Sequence, residues 1–186
     1  MSVRAVRIWG DPVLRQRAKP VTAFDDPLRE LVADLFDTMK VYDGCGLAAP
    51  QVGVSQRLFV VGFDDDEGQP LRLVVVNPEL SDRKGKDSME EGCLSIPHLR
   101  GSVERPTRVV LRAQDEHGQP YEVVAEGFLA RVLQHEYDHL EGVMFPDRMS
   151  PLRRQFLRRD LDALARGEVP EGYHPGEPDP SGGRSI

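Results

Sequence analysis

Residues 134–142 read Gln134-His135-Glu136-Tyr137-Asp138-His139-Leu140-Glu141-Gly142. His135 and His139 are four positions apart, and residues so spaced lie one above the other on the same face of an α-helix. Two imidazoles stacked in this way can hold one metal ion. Glu136 follows the first His, where a carboxylate can reach water at that ion. At about 100° per residue, Phe128, Leu129, Val132, Leu133, Leu140 and Val143 form a broad apolar arc, with the two His at one edge. Glu136 points into that arc, where a lone carboxylate is costly to bury unless a cation or proton accompanies it. Arg131, Gln134, Asp138 and Glu141 fall on the opposite arc. The stretch therefore predicts a core helix from about 126 to 141, stopped by Gly142, around which the rest of the chain is arranged. A short motif of this kind also occurs by chance on surface helices, and two His leave a catalytic site one ligand short.

The chain has 186 residues, 39% hydrophobic and 30% charged, enough for one domain with a sizeable core. A net charge of −7 argues against a nucleic-acid footprint as the main business of the chain. No apolar run approaches membrane-spanning length, and the N-terminal residues lack the apolar stretch of a secretory signal. The two cysteines, Cys45 and Cys93, are therefore expected as thiols in a reducing compartment. The expected location is the cytoplasm, or an organelle of a eukaryote.

Residues 1–24 look irregular, with turn signals at Gly10-Asp11-Pro12 and Pro20. Asp25-Asp26-Pro27 then opens a helix carrying Leu28, Leu31, Val32, Leu35, Phe36 and Met39 on one face, ending near Tyr42. Gly44-Cys45-Gly46-Leu47-Ala48-Ala49-Pro50-Gln51 offers a backbone open to close approach, although taken alone it is better read as an ordinary helix-to-strand loop. Residues 57–63, 71–76, 109–113 and 121–125 read as strands. The polar stretch 81–87 reads as an exposed turn. Glu91-Gly92-Cys93-Leu94-Ser95 places a cysteine in a short apolar run. A thiolate is the softest common ligand and the natural third partner for two His, so Cys93 is the leading candidate and Cys45 its competitor. His98, His117 and His174 are poor ligand candidates. A last helix spans about residues 152–166, with Leu152, Phe156, Leu157, Leu161 and Leu164 on one side. The Gly- and Pro-rich remainder, 167–186, is expected as a disordered tail.

The three stretches at 44–51, 91–95 and 134–139, in this order, resemble the ordered motifs of the peptide deformylases, over about residues 1–166. The resemblance implies a single catalytic domain of α+β fold: antiparallel β-sheets around the central metal-binding helix, with N-terminal and C-terminal helices. It implies that Cys93, His135 and His139 hold a divalent metal and that Glu136 is general base and acid. Gln51 and the Leu94 N–H would bind the oxyanion. Gly46 would lie beside the substrate backbone, and Cys45, Met89, Phe128 and Val132 around the methionine. Cys45 and Arg131 stand where the family has apolar residues, Arg131 near the methionine pocket. The implied reaction removes the formyl group from the formyl-methionine of nascent polypeptides. One thiolate and two neutral imidazoles suit ferrous iron, with zinc, nickel or cobalt as substitutes. The basic C-terminal helix admits a transient ribosome contact, without a dedicated nucleic-acid site. A zinc peptidase would draw its third ligand from downstream of the helix, and a structural metal module would need a fourth. The first leaves Glu91-Gly92-Cys93-Leu94-Ser95 without a purpose, and the second makes Glu136 an awkward neighbour.

Overall fold

The run Leu58-Phe59-Val60-Val61 has no polar alternation, as expected of a strand covered on both faces. In the computed structural model, which describes residues 2–65, 67–169, 173 and 186, this run is the first half of β2 (Leu58–Asp64). Successive side chains point to opposite faces, so Leu58 and Val60 join one core cluster while Phe59 and Val61 join another. α1 (Asp26–Val41) covers the first face through Leu28, Leu31, Val32, Leu35, Phe36 and Met39. Its N-terminus is capped as expected, by the Asp25 carboxylate accepting from the Leu28 N–H at 3.2 Å. α2 (Gly127–Leu140) covers the second face through Ala130, Val132, Leu133 and Leu140.

The sheet between the two helices also contains β1 (Gly46–Ala48), β3 (Pro70–Lys84), β6 (Arg108–Gln114) and β7 (Pro120–Glu126). Its order is β1-β2-β3-β6-β7, antiparallel throughout. A separate hairpin is formed by β4 (Asp87–Cys93) and β5 (Ile96–Arg105). Against it pack the short α3 (Phe145–Arg148) and α4 (Pro151–Ala165), closing a third cluster of Cys93, Ile96, Val103, Phe145, Leu161 and Leu164. The α+β architecture around a central helix is thus the one expected.

The structure departs from the sequence reading, or goes beyond it, in several elements. The polar segment 81–87 is not a turn: β3 runs to Lys84 and β4 starts at Asp87, because backbone pairing of β3 with β6 does not need apolar side chains. β5 was not foreseen at all, its sequence mixing His98, Arg100, Gly101 and Glu104. The polar arc of α2 is also covered, with Arg131, Gln134 and Asp138 all buried. On α4, Leu161 and Leu164 are buried, but Leu152 and Phe156 are 68% and 77% exposed.

The expected disordered tail lies mostly outside the described residues. Within it Tyr173 and Ile186 are buried, Ile186 in the same cluster as Val132 and Leu133. No helix of the described residues is long and apolar enough to cross a membrane.

Candidate metal centre and active site

α2 presents His135 and His139 on one face as the four-residue spacing requires, their rings edge to face with centroids 5.0 Å apart. Cys93 comes from the other layer. The β4–β5 register breaks after Gly92, whose partner is Arg100, and resumes with Cys93 opposite Ile96. The intervening residues of β5 include His98 at a φ of 64°. This irregularity turns the strand end toward α2, as bulges do. One donor atom each from Cys93, His135 and His139 lies within 4.8 Å of the others, and all three residues are buried. This is the one such cluster among the described residues. Cys45 is buried but not part of it. His98 and His117 are also outside it, and His174 lies outside the described residues.

The donor set fits a divalent metal. His135 Nδ1 lies 3.0 Å from Glu91 Oε2 and donates to it, which leaves the Nε2 lone pair free; Nε2 has no protein partner although it is buried. His139 Nε2 stands 3.3 Å from Cys93 Sγ. Burial pushes the Cys93 thiol well up, helped by the negative charges of Glu136 and Glu91 and opposed by hydrogen bonds from Ser95. Burial likewise holds His139 well below the usual imidazole range, with the positive charge of Arg105 acting in the same direction. A neutral imidazole is the ligating form, and a cation at this spot is what would draw the proton from the thiol.

Glu136 is completely buried, and neither of its oxygens has a protein partner. Burial and the charge of Glu91 raise its pKa well above the usual carboxylate range, Arg105 opposing. Such a carboxyl is shaped to take up and return a proton. Gln51 is also fully buried, on a short 3-10 helix, Ala49–Val52. Its Oε1 accepts from the Ala48 N–H at 2.8 Å, which fixes the amide orientation. Its Nε2 then faces Ser95 Oγ at 3.2 Å and Cys93 Sγ at 3.6 Å. Leu94 occupies the turn directly after Cys93 and packs in the α1 cluster.

The methionine-pocket candidates are less tightly grouped. Cys45 and Val132 share one core cluster. Phe128 is 37% exposed and packs edge-on against Phe63 at 5.0 Å. Met89 is 41% exposed on β4, opposite Val103. Arg131, expected near that pocket, carries its guanidinium to Glu91 and to the carbonyls of Val103 and Asp87.

A buried ionic network behind the two His was not anticipated. Arg105 donates to both oxygens of Glu91 at 2.6 and 2.9 Å and to Asp138 Oδ2 at 2.8 Å. Asp138 also accepts from Arg148. Hydrogen bonds from His135 and Arg105 outweigh burial, which acts the other way, and keep Glu91 far below the usual carboxylate range. The only sequence signal for this network was a run of acidic residues beside Cys93, with nothing to connect it to Arg105.

The family model for polypeptide deformylase matches residues 3–155. A peptide deformylase of Thermotoga petrophila is 49% identical over 162 residues, covering 87% of this chain and 96% of its own. The crystal structure of a peptide deformylase from Legionella pneumophila superposes with a TM-score of 0.81 at 44% identity, covering 91% of this chain and all of that one. The Thermus thermophilus peptide deformylase gives 0.83 at 39% identity, covering 89% and 99%. With the three motifs converging on one buried cluster of Cys93, His135 and His139, the chain belongs to the polypeptide deformylase family.

Proposed function

We propose that Glu136, Gln51 and the Leu94 N–H carry out, at the Cys93–His135–His139 centre, the hydrolysis that removes formate from N-formylmethionyl peptides. The observation that carries this reading is the coincidence of three clustered donor atoms with a wholly buried Glu136 whose oxygens have no protein partner. A divalent cation held by the three ligands supplies a Lewis acid and lowers the pKa of water beside Glu136. Glu136 accepts a proton as the water oxygen attacks the formyl carbon. Gln51 Nε2 and the Leu94 N–H donate to the carbonyl oxygen as it gains charge. Glu136 then returns the proton to the departing amine. Gly46 lets the substrate backbone lie close, and Cys45, Met89, Phe128 and Val132 surround the methionine side chain. The soft thiolate in the donor set favours ferrous iron, with zinc, nickel and cobalt as replacements.

The catalytic unit is residues 1–166. Its substrate is made at the ribosome, which places the reaction in the cytoplasm or in an organelle of a eukaryote. Arg153 and Arg159 on α4, with the exposed Leu152 and Phe156, offer a surface for transient ribosome contact. The decisive experiment compares formyl-Met-Ala-Ser with acetyl-Met-Ala-Ser. An acetyl methyl crowds the attacked carbon and displaces it from the aligned geometry, so formate is expected and little or no acetate. Comparable kcat/KM for the two peptides would make the site a general amidase and overturn the reading.

A further inference from the structure

Glu91 has every acceptor position taken. Its Oε1 accepts from Arg105 Nε at 2.6 Å and Arg131 Nη1 at 2.7 Å. Its Oε2 accepts from Arg105 Nη2 at 2.9 Å and His135 Nδ1 at 3.0 Å. A carboxylate offers roughly four lone-pair sites, and here four donors fill them. The carboxylate therefore has one orientation and presents one oxygen to His135. That contact sets the tautomer and the ring angle of His135.

Arg105 grips both oxygens of Glu91 through Nε and Nη2, while its Nη1 goes to Asp138, which Arg148 also engages. Arg131 adds a second guanidinium on Oε1, tied to other parts of the fold. It lies one helical turn before His135 on α2 and is 4% exposed. Besides Glu91 it reaches Val103 O at 3.0 Å on β5 and Asp87 O at 2.9 Å at the start of β4. One planar guanidinium thus ties the helix that carries both His to both strands of the hairpin that carries Glu91 and Cys93.

We propose that Arg131 is a positioning residue for the metal centre: it clamps Glu91 Oε1 so that Oε2 holds His135 in its ligating orientation. The inference rests on His135 being a ligand. Its rival is a plain structural staple between α2 and the hairpin, which would affect stability and leave the metal site alone. Met at 131 keeps length and packing without donors, and Lys offers a single point charge that cannot serve Glu91 and both carbonyls together.

The test is metal affinity of the folded protein, by chelator competition with zinc, together with the visible spectrum of the cobalt-loaded form. Arg131→Met should weaken zinc binding by about 10–100-fold and shift the cobalt bands, as loss of an outer partner does. Arg131→Lys should fall between Arg131→Met and wild type, and it carries the test if Arg131→Met does not fold. In a Glu91→Gln background, Arg131→Met should add nothing further, because its effect passes through Glu91. Wild-type affinity and spectrum in the folded variants, or a fully additive double mutant, would overturn the inference. Failure of the ligand assignment is separately visible: His135→Ala would then keep its zinc.

Discussion

A Cβ at position 46 would stand 2.5 Å from Glu136 Oε1 and 2.8 Å from both Cδ and Cγ of the same side chain. Real atoms do not approach so closely, so the buried Glu136 side chain would have to shift. Gly46 is therefore the residue that makes room for the carboxylate. Gly46→Ala should keep the metal, because the atoms that a Cβ there would press on most closely belong to Glu136 and not to Cys93, His135 or His139. It should lower kcat by about 10²-fold, the usual consequence of moving a catalytic group by ~1 Å. Glu136→Gln should also keep the metal and lower kcat by about 10²–10⁴-fold, since an amide fits the space but cannot shuttle the proton. Metal content and kcat on formyl-Met-Ala-Ser check both. A metal-free Glu136→Gln would make Glu136 a ligand, and a Gly46→Ala protein with wild-type kcat would mean that the carboxylate is not where it acts. At this scale His135, Glu136 and His139 were legible from spacing alone, because helical periodicity is fixed by geometry. Cys93 was legible from ligand softness. Gln51 was not: nothing in an Ala-Pro-Gln sequence distinguishes an oriented amide from a loop residue, and only the resemblance singled it out.

Among the elements, α4 shows what a periodic pattern can and cannot tell. Leu152, Phe156, Leu157, Leu161 and Leu164 look like one apolar side, yet only the C-terminal half meets the β4–β5 hairpin, in the cluster with Cys93 and Phe145. The N-terminal half projects Leu152 and Phe156 into solvent. Leu161→Ala should therefore destabilise by about 2–5 kcal/mol, the range for a large-to-small change in a packed core. Phe156→Ser should stay within about 0.5 kcal/mol of wild type. Urea unfolding distinguishes them, and a loss at Phe156 as large as at Leu161 would show that something covers that face. The pattern fixed the helix and not its depth, because periodicity reports a shared side without saying what packs against it. α2 is the converse case. Arg131, Gln134 and Asp138 lie opposite the apolar arc and are buried all the same, since their partners include charged groups and carbonyls far away in sequence. Gln134 Nε2, for instance, donates to Pro106 O at 2.9 Å. Burial of polar residues in a network is set by those partners, and no local pattern encodes it.

Across the whole molecule, the irregular first segment binds the three motifs together. The Arg7 N–H donates to Gln51 O at 2.7 Å, the Trp9 N–H to Ser95 O at 2.8 Å and the Ala18 N–H to Leu140 O at 2.8 Å. These are backbone groups, which is why a reading of side chains found only a loop there. The strap begins at Asp34 on α1, whose Oδ1 accepts from the Ser2 N–H at 2.9 Å and whose Oδ2 accepts from Arg4 Nε at 3.0 Å. Burial alone would raise the Asp34 pKa, but the Ser2 and Arg4 hydrogen bonds and the Arg4 charge prevail and lower it below its ordinary value of 3.8. A carboxyl that is more acidic folded than unfolded contributes stability above its unfolded pKa, and that contribution disappears as pH falls through the folded pKa. Asp34→Asn should therefore be less stable than wild type at pH 5–7, where about all of the carboxyls are ionised, and the difference should close as pH drops below ~4. Urea unfolding of the two proteins across that range measures it. A gap that stays constant down to pH ~3 would place the effect in packing and not in the charge of the anchor. Because the strap touches the loop of Gln51 and the turn after Cys93, loosening its anchor should also raise hydrogen exchange at the Arg7 and Trp9 amides before the amides of α2 respond. Simultaneous exchange of all of them would mean that strap and core open as one unit.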